Sequence, residues 1–205
     1  MKIKVCGMRS PENIQALTDL QPDYMGFIFY DKSPRYVVDL SPDVLNKLQA
    51  SILKVGVFVD EPAETISRLI DEYSLNAVQL HGNETAGLCM ELRDKVTVLK
   101  AFGVDGDFDF DQLKSYAGSV DYFLFDTKTD VHGGSGRAFN WEVLNNYKLN
   151  TPFFLSGGLS LDNLENAKQI KHPAFYGVDL NSRFEAEPGM KDITKLREAF
   201  KILRD

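Results

Sequence analysis

Residues 54–80 read KVGVFVDEPAETISRLIDEYSLNAVQL. KVGVFV (54–59) is an apolar run rich in β-branched residues, and Glu61-Pro62 sets a proline where a first helical turn tolerates it. Ile66, Leu69, Ile70 and Tyr73 then recur at i, i+3, i+4 and i+7, the spacing of one helical face, before AVQL (77–80) opens a second short apolar run. The stretch is a strand, a helix and a strand. Consecutive units of this kind imply parallel strands joined by right-handed crossovers.

The pattern recurs along the chain. IKVC (3–6), YMGFIF (24–29), VTVLKAF (96–102), YFLF (122–125), PFFL (152–155) and FYGV (175–178) bring the apolar runs to eight. Helical start signals at Ser10-Pro11-Glu12 and Ser41-Pro42-Asp43, and a second stripe at Ile193, Leu196, Phe200 and Leu203, fall between or after them. No linker, low-complexity tract or shift in composition divides the chain, so residues 1–205 are expected to form a single (β/α)8 TIM barrel of the α/β class. An open doubly wound sheet is the competitor, but no strong GxGxxG follows the first run. At 205 residues the chain lies near the lower limit of about 200 for such a barrel, which leaves little room for decoration.

Composition narrows the function. With 43% hydrophobic and 26% charged residues the chain can bury a substantial core. A formal net charge of −7 disfavours nucleic acid or an anionic membrane as the main partner, while a small anionic substrate remains open to a site with local donors. Neither a basic, apolar leader nor a membrane-length apolar run is present, and Cys6 and Cys89 form no CxxC, so a cytoplasmic protein with reduced thiols is expected. No cluster of His and carboxylates has a compelling metal-ligand arrangement. Monomer and homodimer are both open.

Barrels of this kind gather their chemistry at the C-terminal ends of the strands. Those ends supply Cys6, Tyr30 with Arg35 shortly after, Asp60, His81, Asp126, Ser156-Gly157-Gly158 and Asp179 through Ser182. Asp126, behind the apolar YFLF, is either a proton donor with a raised pKa or a loop cap. GGSG (133–136) either wraps an anion or is a flexible loop, and the SGG and DLNS turns fall where barrels commonly build a phosphate site. Arg35 suits a carboxylate through its planar fork, or is a solvated loop residue. His81 either orients substrate or closes its strand. Cys89 reads as a small buried hydrophobe, and Cys6 taken alone as a core cysteine. Lys4 shares the parity of Cys6: it either favours the thiolate or lies low in the barrel, paired to a carboxylate and without effect on the thiol.

Taken together the motifs KVCGM, MGFIFYDKSPRYV, VGVFVDE, AVQLHG, LFDTKTDVHGGSGRAFNW, PFFLSGGL, GVDLNSRFE and PGMKD resemble, over the whole length, the phosphoribosylanthranilate isomerase family of tryptophan biosynthesis. The resemblance implies an Amadori rearrangement of a phosphorylated aminosugar without cofactor or metal. It implies Asp126 as the general acid at the ring oxygen, Cys6 as the general base at C2′, and Arg35 as the holder of the anthranilate carboxylate. His81 falls among the substrate-binding positions. Phosphate is expected near Gly157, Gly158, Asn181 and Ser182, with Gly134, Ser135 and Gly136 closing over the substrate. DLNSRFE departs from the family's usual DVSSGVE: Asn181 replaces serine and Arg183 replaces glycine, which bears on the phosphate contacts. The related isomerase of histidine biosynthesis uses two aspartates and fits the first-strand cysteine badly. A non-catalytic ligand-binding barrel fits the pair of proton-transfer residues badly.

Overall fold

The computed structural model describes residues 1–37, 39–128 and 138–205. Among these residues eight strands form the main sheet: β1 (Lys2–Val5), β2 (Tyr24–Ile28), β3 (Leu53–Phe58), β4 (Ala77–Leu80), β5 (Thr97–Val104), β6 (Tyr122–Thr127), β7 (Phe153–Leu155) and β8 (Phe175–Leu180). Each pairs in parallel with the next, and β8 returns to β1 through Lys2–Gly177 and Lys4–Asp179 registers, so the sheet closes into a barrel. All eight apolar runs of the sequence became these strands.

Strand alternation sorts the side chains into two cores. Tyr24, Val55, Ala77, Leu99, Leu124 and Phe154 fill the lower barrel interior. Ile3, Phe27, Phe58, Val78, Phe123 and Val178 point outward into a larger core beneath the helices. A barrel interior packed in this way is solid below, which confines any ligand to the open end above the filled layers.

The helices are α1 (Pro11–Thr18), α2 (Pro42–Asn46), α3 (Ala63–Tyr73), α4 (Ala86–Arg93), α5 (Leu164–Lys168) and α6 (Ile193–Arg204). Ser10 and Ser41 cap α1 and α2 and Pro11 and Pro42 open them, as their sequences require. Pro62 is displaced outward by one step: it is the N-cap of α3, whose first turn begins at Ala63. The α3 stripe buries Ile66 and Ile70, each full burial contributing roughly 1.5–3 kcal/mol, with Leu69 and Tyr73 packed at its edge. Cys89 is buried on α4, as a small hydrophobe would be. Two crossovers depart from the strand–helix rhythm, since Phe110–Tyr116 and Trp141–Asn146 are 3₁₀ turns. Asp109 and Asn140 cap these turns through their side chains, which hydrogen-bond to the backbone two residues on.

Candidate active site

Cys6 follows the last residue of β1, and its amide donates to Leu180 O on β8 at 3.0 Å, which keeps the chain in register one step past the strand. The thiol fits because β2 presents Gly26 beside it: a Cβ there would lie 2.6 Å from Cys6 Sγ. Across the barrel, Asp126 sits near the end of β6 and accepts from Thr127 N at 2.8 Å. Gly157 holds a positive φ of 82°, and a side chain on it would come within 2.7 Å of Asp126 Oδ1. The glycine turn after β7 is thus pressed against the carboxyl that the sequence placed at the rim.

Cys6, Arg35, His81, Asp126, Gly157, Gly158, Asn181 and Ser182 all line one cavity at this end of the barrel. Gly134, Ser135 and Gly136 lie outside the described residues. Asp60 turns away, since its carboxylate accepts from the Asn83 backbone and ties the β3 and β4 loops together. Its place in the wall is taken by the apolar Val57 and Val59, beside Ile28, Tyr30 and Leu159. The cavity therefore combines an apolar side, suited to an aromatic group, with polar turns on β7 and β8.

The electrostatics differ from residue to residue. Burial pushes the Asp126 carboxyl up to about 6, against the pull of the Thr127 amide and Lys4. Burial also raises the Cys6 thiol above its ordinary value, opposed chiefly by the ammonium of Lys4, with Asp179 adding to the rise and Lys191 opposing it. His81 is lowered to about 4 by burial and by the nearby Lys100 and Lys4, so its ring is neutral at pH 7. Its Nε2 stands 3.7 Å from Asp126 Oδ2, and its amide closes the strand by donating to Phe58 O at 2.9 Å. His81 closes its strand through the backbone, as one reading has it, while its ring faces the cavity.

Arg35 is no solvated loop residue. It is 8% exposed, and Glu185 grips one side of its guanidinium through Nε at 2.9 Å and Nη2 at 2.7 Å. Glu185 also accepts from Lys191 Nζ at 2.6 Å, and Lys191 donates in turn to Asn181 Oδ1 at 2.7 Å. Burial opposes ionisation of Glu185, yet Arg35 and Lys191 hold its carboxyl below the usual range. Two cations share one carboxylate, so the cluster carries positive charge beside the cavity. Glu185 and Lys191 fall inside the motifs GVDLNSRFE and PGMKD but were given no role there, because a hairpin after β8 (β9, Glu185–Glu187; β10, Met190–Lys191) folds them inward and no local pattern announces that. Arg183, where the family usually has glycine, occupies a 3₁₀ turn outside the positive-φ set, so this departure brings no left-handed strain.

Lys4 and Asp179 form a buried pair at 2.9 Å, 0% and 4% exposed. Burial opposes the charge on Lys4, but Asp179 and Cys6 outweigh it and hold it as an ammonium. The second reading of Lys4 holds for its carboxylate partner, Asp179, but not for the thiol: the ammonium also interacts with Cys6 and opposes the rise of its pKa. Lys4→Met strands Asp179 and is expected to cost about 3–5 kcal/mol in urea unfolding, most of it recovered in Lys4→Met/Asp179→Leu. Equal stability of Lys4→Met and the parent would contradict this account of the pair.

A (β/α)8 barrel that sets a carboxyl of raised pKa and a buried thiol across one mouth, beside a fixed guanidinium, has the make-up of an acid–base enzyme for an anionic substrate. Comparison with known proteins narrows the class. The family model "N-(5′phosphoribosyl)anthranilate (PRA) isomerase" matches residues 3–202. An N-(5′-phosphoribosyl)anthranilate isomerase of Parabacteroides distasonis is 45% identical over 200 residues, covering 96% of this chain and 90% of the relative. The crystal structure of phosphoribosyl anthranilate isomerase from Thermotoga maritima superposes with a TM-score of 0.88 at 33% identity, covering 100% and 98% of the two chains. A further structure of such an isomerase, in complex with reduced 1-(o-carboxyphenylamino)-1-deoxyribulose 5-phosphate, gives 0.86 at 31% identity, again over 100% and 98%. This chain belongs to the N-(5′-phosphoribosyl)anthranilate isomerase family.

Proposed function

We propose that residues 1–205 form one catalytic domain in which Asp126 and Cys6 divide the proton transfers of the family reaction between them. This chain isomerises N-(5′-phosphoribosyl)anthranilate to 1-(2-carboxyphenylamino)-1-deoxyribulose 5-phosphate in tryptophan biosynthesis. The observation that carries the residue assignment is the opposition of Cys6 and Asp126, at the ends of β1 and β6, across a single cavity.

Asp126, with its pKa near 6, gives its proton to the furanose ring oxygen as the C1′–O bond breaks. The nitrogen lone pair forms the protonated Schiff base. That cation acidifies the C2′–H bond, so a thiolate suffices as base. Cys6 takes the proton, and the C–H electrons become the C1′=C2′ bond while the imine electrons return to nitrogen. Loss of the enol proton and protonation at C1′ complete the ketone.

Arg35, already held by Glu185, meets the anthranilate carboxylate with its remaining N–H edge, having lost little freedom on binding. The apolar wall of Val57 and Val59 receives the aromatic ring, and the phosphate takes backbone donors of the turns at Gly157, Gly158, Asn181 and Ser182. Free thiols at Cys6 and Cys89 suit the reducing cytoplasm, and no helix among the described residues is long and apolar enough to cross a membrane.

The test is the loss of phosphoribosylanthranilate fluorescence with purified protein, in which inorganic phosphate competes with substrate. In the same assay Arg35→Ala should raise KM tenfold or more while kcat falls less, since a carboxylate clamp acts in ground and transition states alike. An inactive parent protein refutes the reading. An unchanged KM with a collapsed kcat removes Arg35 from the clamp.

A further inference from the structure

Gln79 interrupts the apolar run AVQL two residues before His81, so both side chains point into the barrel from β4. It is 1% exposed and lines the cavity. Its amide Nε2 lies 2.8 Å from His81 Nδ1. Its carbonyl Oε1 has no hydrogen-bond partner, a condition shared, among the buried side-chain nitrogen and oxygen atoms of the described residues, only with the indole nitrogen of Trp141. Trp141 lies on a 3₁₀ turn after β6, whereas Gln79 borders the reacting groups.

The two ends of this amide are linked by the histidine tautomer. A neutral imidazole carries one N–H and one lone pair, and each partner must match the nitrogen it faces. Nε2 faces the Asp126 carboxyl at 3.7 Å. Placing the proton there leaves Nδ1 as an acceptor, which obliges Gln79 to turn its NH2 toward the ring. The carbonyl is then directed away from His81 with no partner among the described residues. A buried acceptor in a cavity wall calls for a donor that arrives with the ligand. Once the phosphate and the carboxylate of the substrate are held elsewhere, its remaining donors are the sugar hydroxyls and the aryl amine.

We propose that Gln79 binds substrate and positions His81 at once: Oε1 accepts a hydrogen bond from a sugar hydroxyl, and Nε2 holds His81 in the tautomer whose Nε2–H faces Asp126. The hydroxyl contact rests on the isomerase reading, because the substrate of that reaction supplies the donor. The tautomer does not rest on it. With an N–H facing it, Asp126 gains a partner for the carboxylate it becomes after giving up its proton, so the ring stabilises the product of the acid step.

Long-range proton–nitrogen NMR of the ligand-free protein reads the tautomer directly, with His81→Asn assigning the signal among three histidines. The parent should show Nε2 protonated and Nδ1 bare. Gln79→Glu should place a proton on Nδ1 and raise the ring pKa above about 4, the other groups facing it being unchanged: Lys100 on β5, Lys4 on β1, Asp179 on β8, Glu84 after β4 and Asp126 on β6. Gln79→Met keeps length and bulk but removes both polar ends. It should weaken binding of the reduced open-chain product analogue about tenfold and lower kcat/KM further than that. A parent protein that lacks isomerase activity overturns the isomerase reading and the hydroxyl contact with it. An active parent whose His81 carries its proton on Nδ1, or a folded Gln79→Met with unchanged affinity and kcat/KM, overturns this inference alone.

Discussion

Cys6→Ala is expected to lose about two orders of magnitude or more in kcat while the barrel survives, the scale of a positioned proton-transfer group. The thiol is 3% exposed and sits in the cavity wall. Its removal opens the substrate cavity slightly and leaves the packed layers below intact. In the proposed site substrate is held by other groups, namely Arg35 and the turns after β7 and β8, so KM should change much less than kcat. Cys6→Ser should fare little better, because a hydroxyl is far less readily ionised than a thiol and stays protonated over the working range. Steady-state kinetics with a far-UV circular dichroism check of folding make the measurement. A folded Cys6→Ala protein with near-parental turnover would end the assignment of Cys6 as base.

Asp126→Asn should lower kcat by a similar factor, and here the pH profile identifies the cause. The acid must be protonated and the base ionised, yet Asp126 titrates near 6 and burial carries Cys6 above its ordinary value. The active form is therefore the minor one, with the group of lower pKa holding the proton. For the parent protein, kcat/KM should rise to about pH 6, because below it Asp126 is fully protonated and only the thiolate fraction grows. Between the two pKa values the gain in thiolate cancels the loss of carboxylic acid. Above the thiol pKa the thiolate is complete and the continuing loss of the Asp126 proton lowers the rate. The bell thus has its lower limb at Asp126 and its upper limb at Cys6. In Asp126→Asn the amide does not titrate, so the residual rate should climb to the thiol pKa and then level off. Lys4→Met, by removing the ammonium that faces the thiol, should move the upper inflection to higher pH. A bell retained in Asp126→Asn with its lower limb still near 6 would assign that limb to another group.

Much of this site was legible because a parallel barrel converts chain position into spatial position. Once eight apolar runs close into a ring, the residue that ends each run arrives at one rim, which is why Cys6, His81, Asp126 and the Gly157–Gly158 turn meet around one cavity although they are spread over most of the chain. Asp60 obeyed the same rule and failed it chemically: a backbone amide on the neighbouring loop claimed its carboxylate. Gln79 was passed over as part of a core strand. Its signal was present, as the one polar residue in AVQL at the parity of His81.

Sequence by itself determined the strands, the amphipathic helices and the set of rim residues, since these follow from local periodicity and from the topology that periodicity imposes. Tertiary structure alone decided how each charged group is partnered. Arg35 meets Glu185 across 150 positions and Lys4 meets Asp179 across 175, separations that no local pattern encodes. Whether a carboxyl keeps its proton or a guanidinium keeps its orientation depends on desolvation and on the nearest opposite charge. Both are properties of distance and burial, which come into being only when the barrel closes.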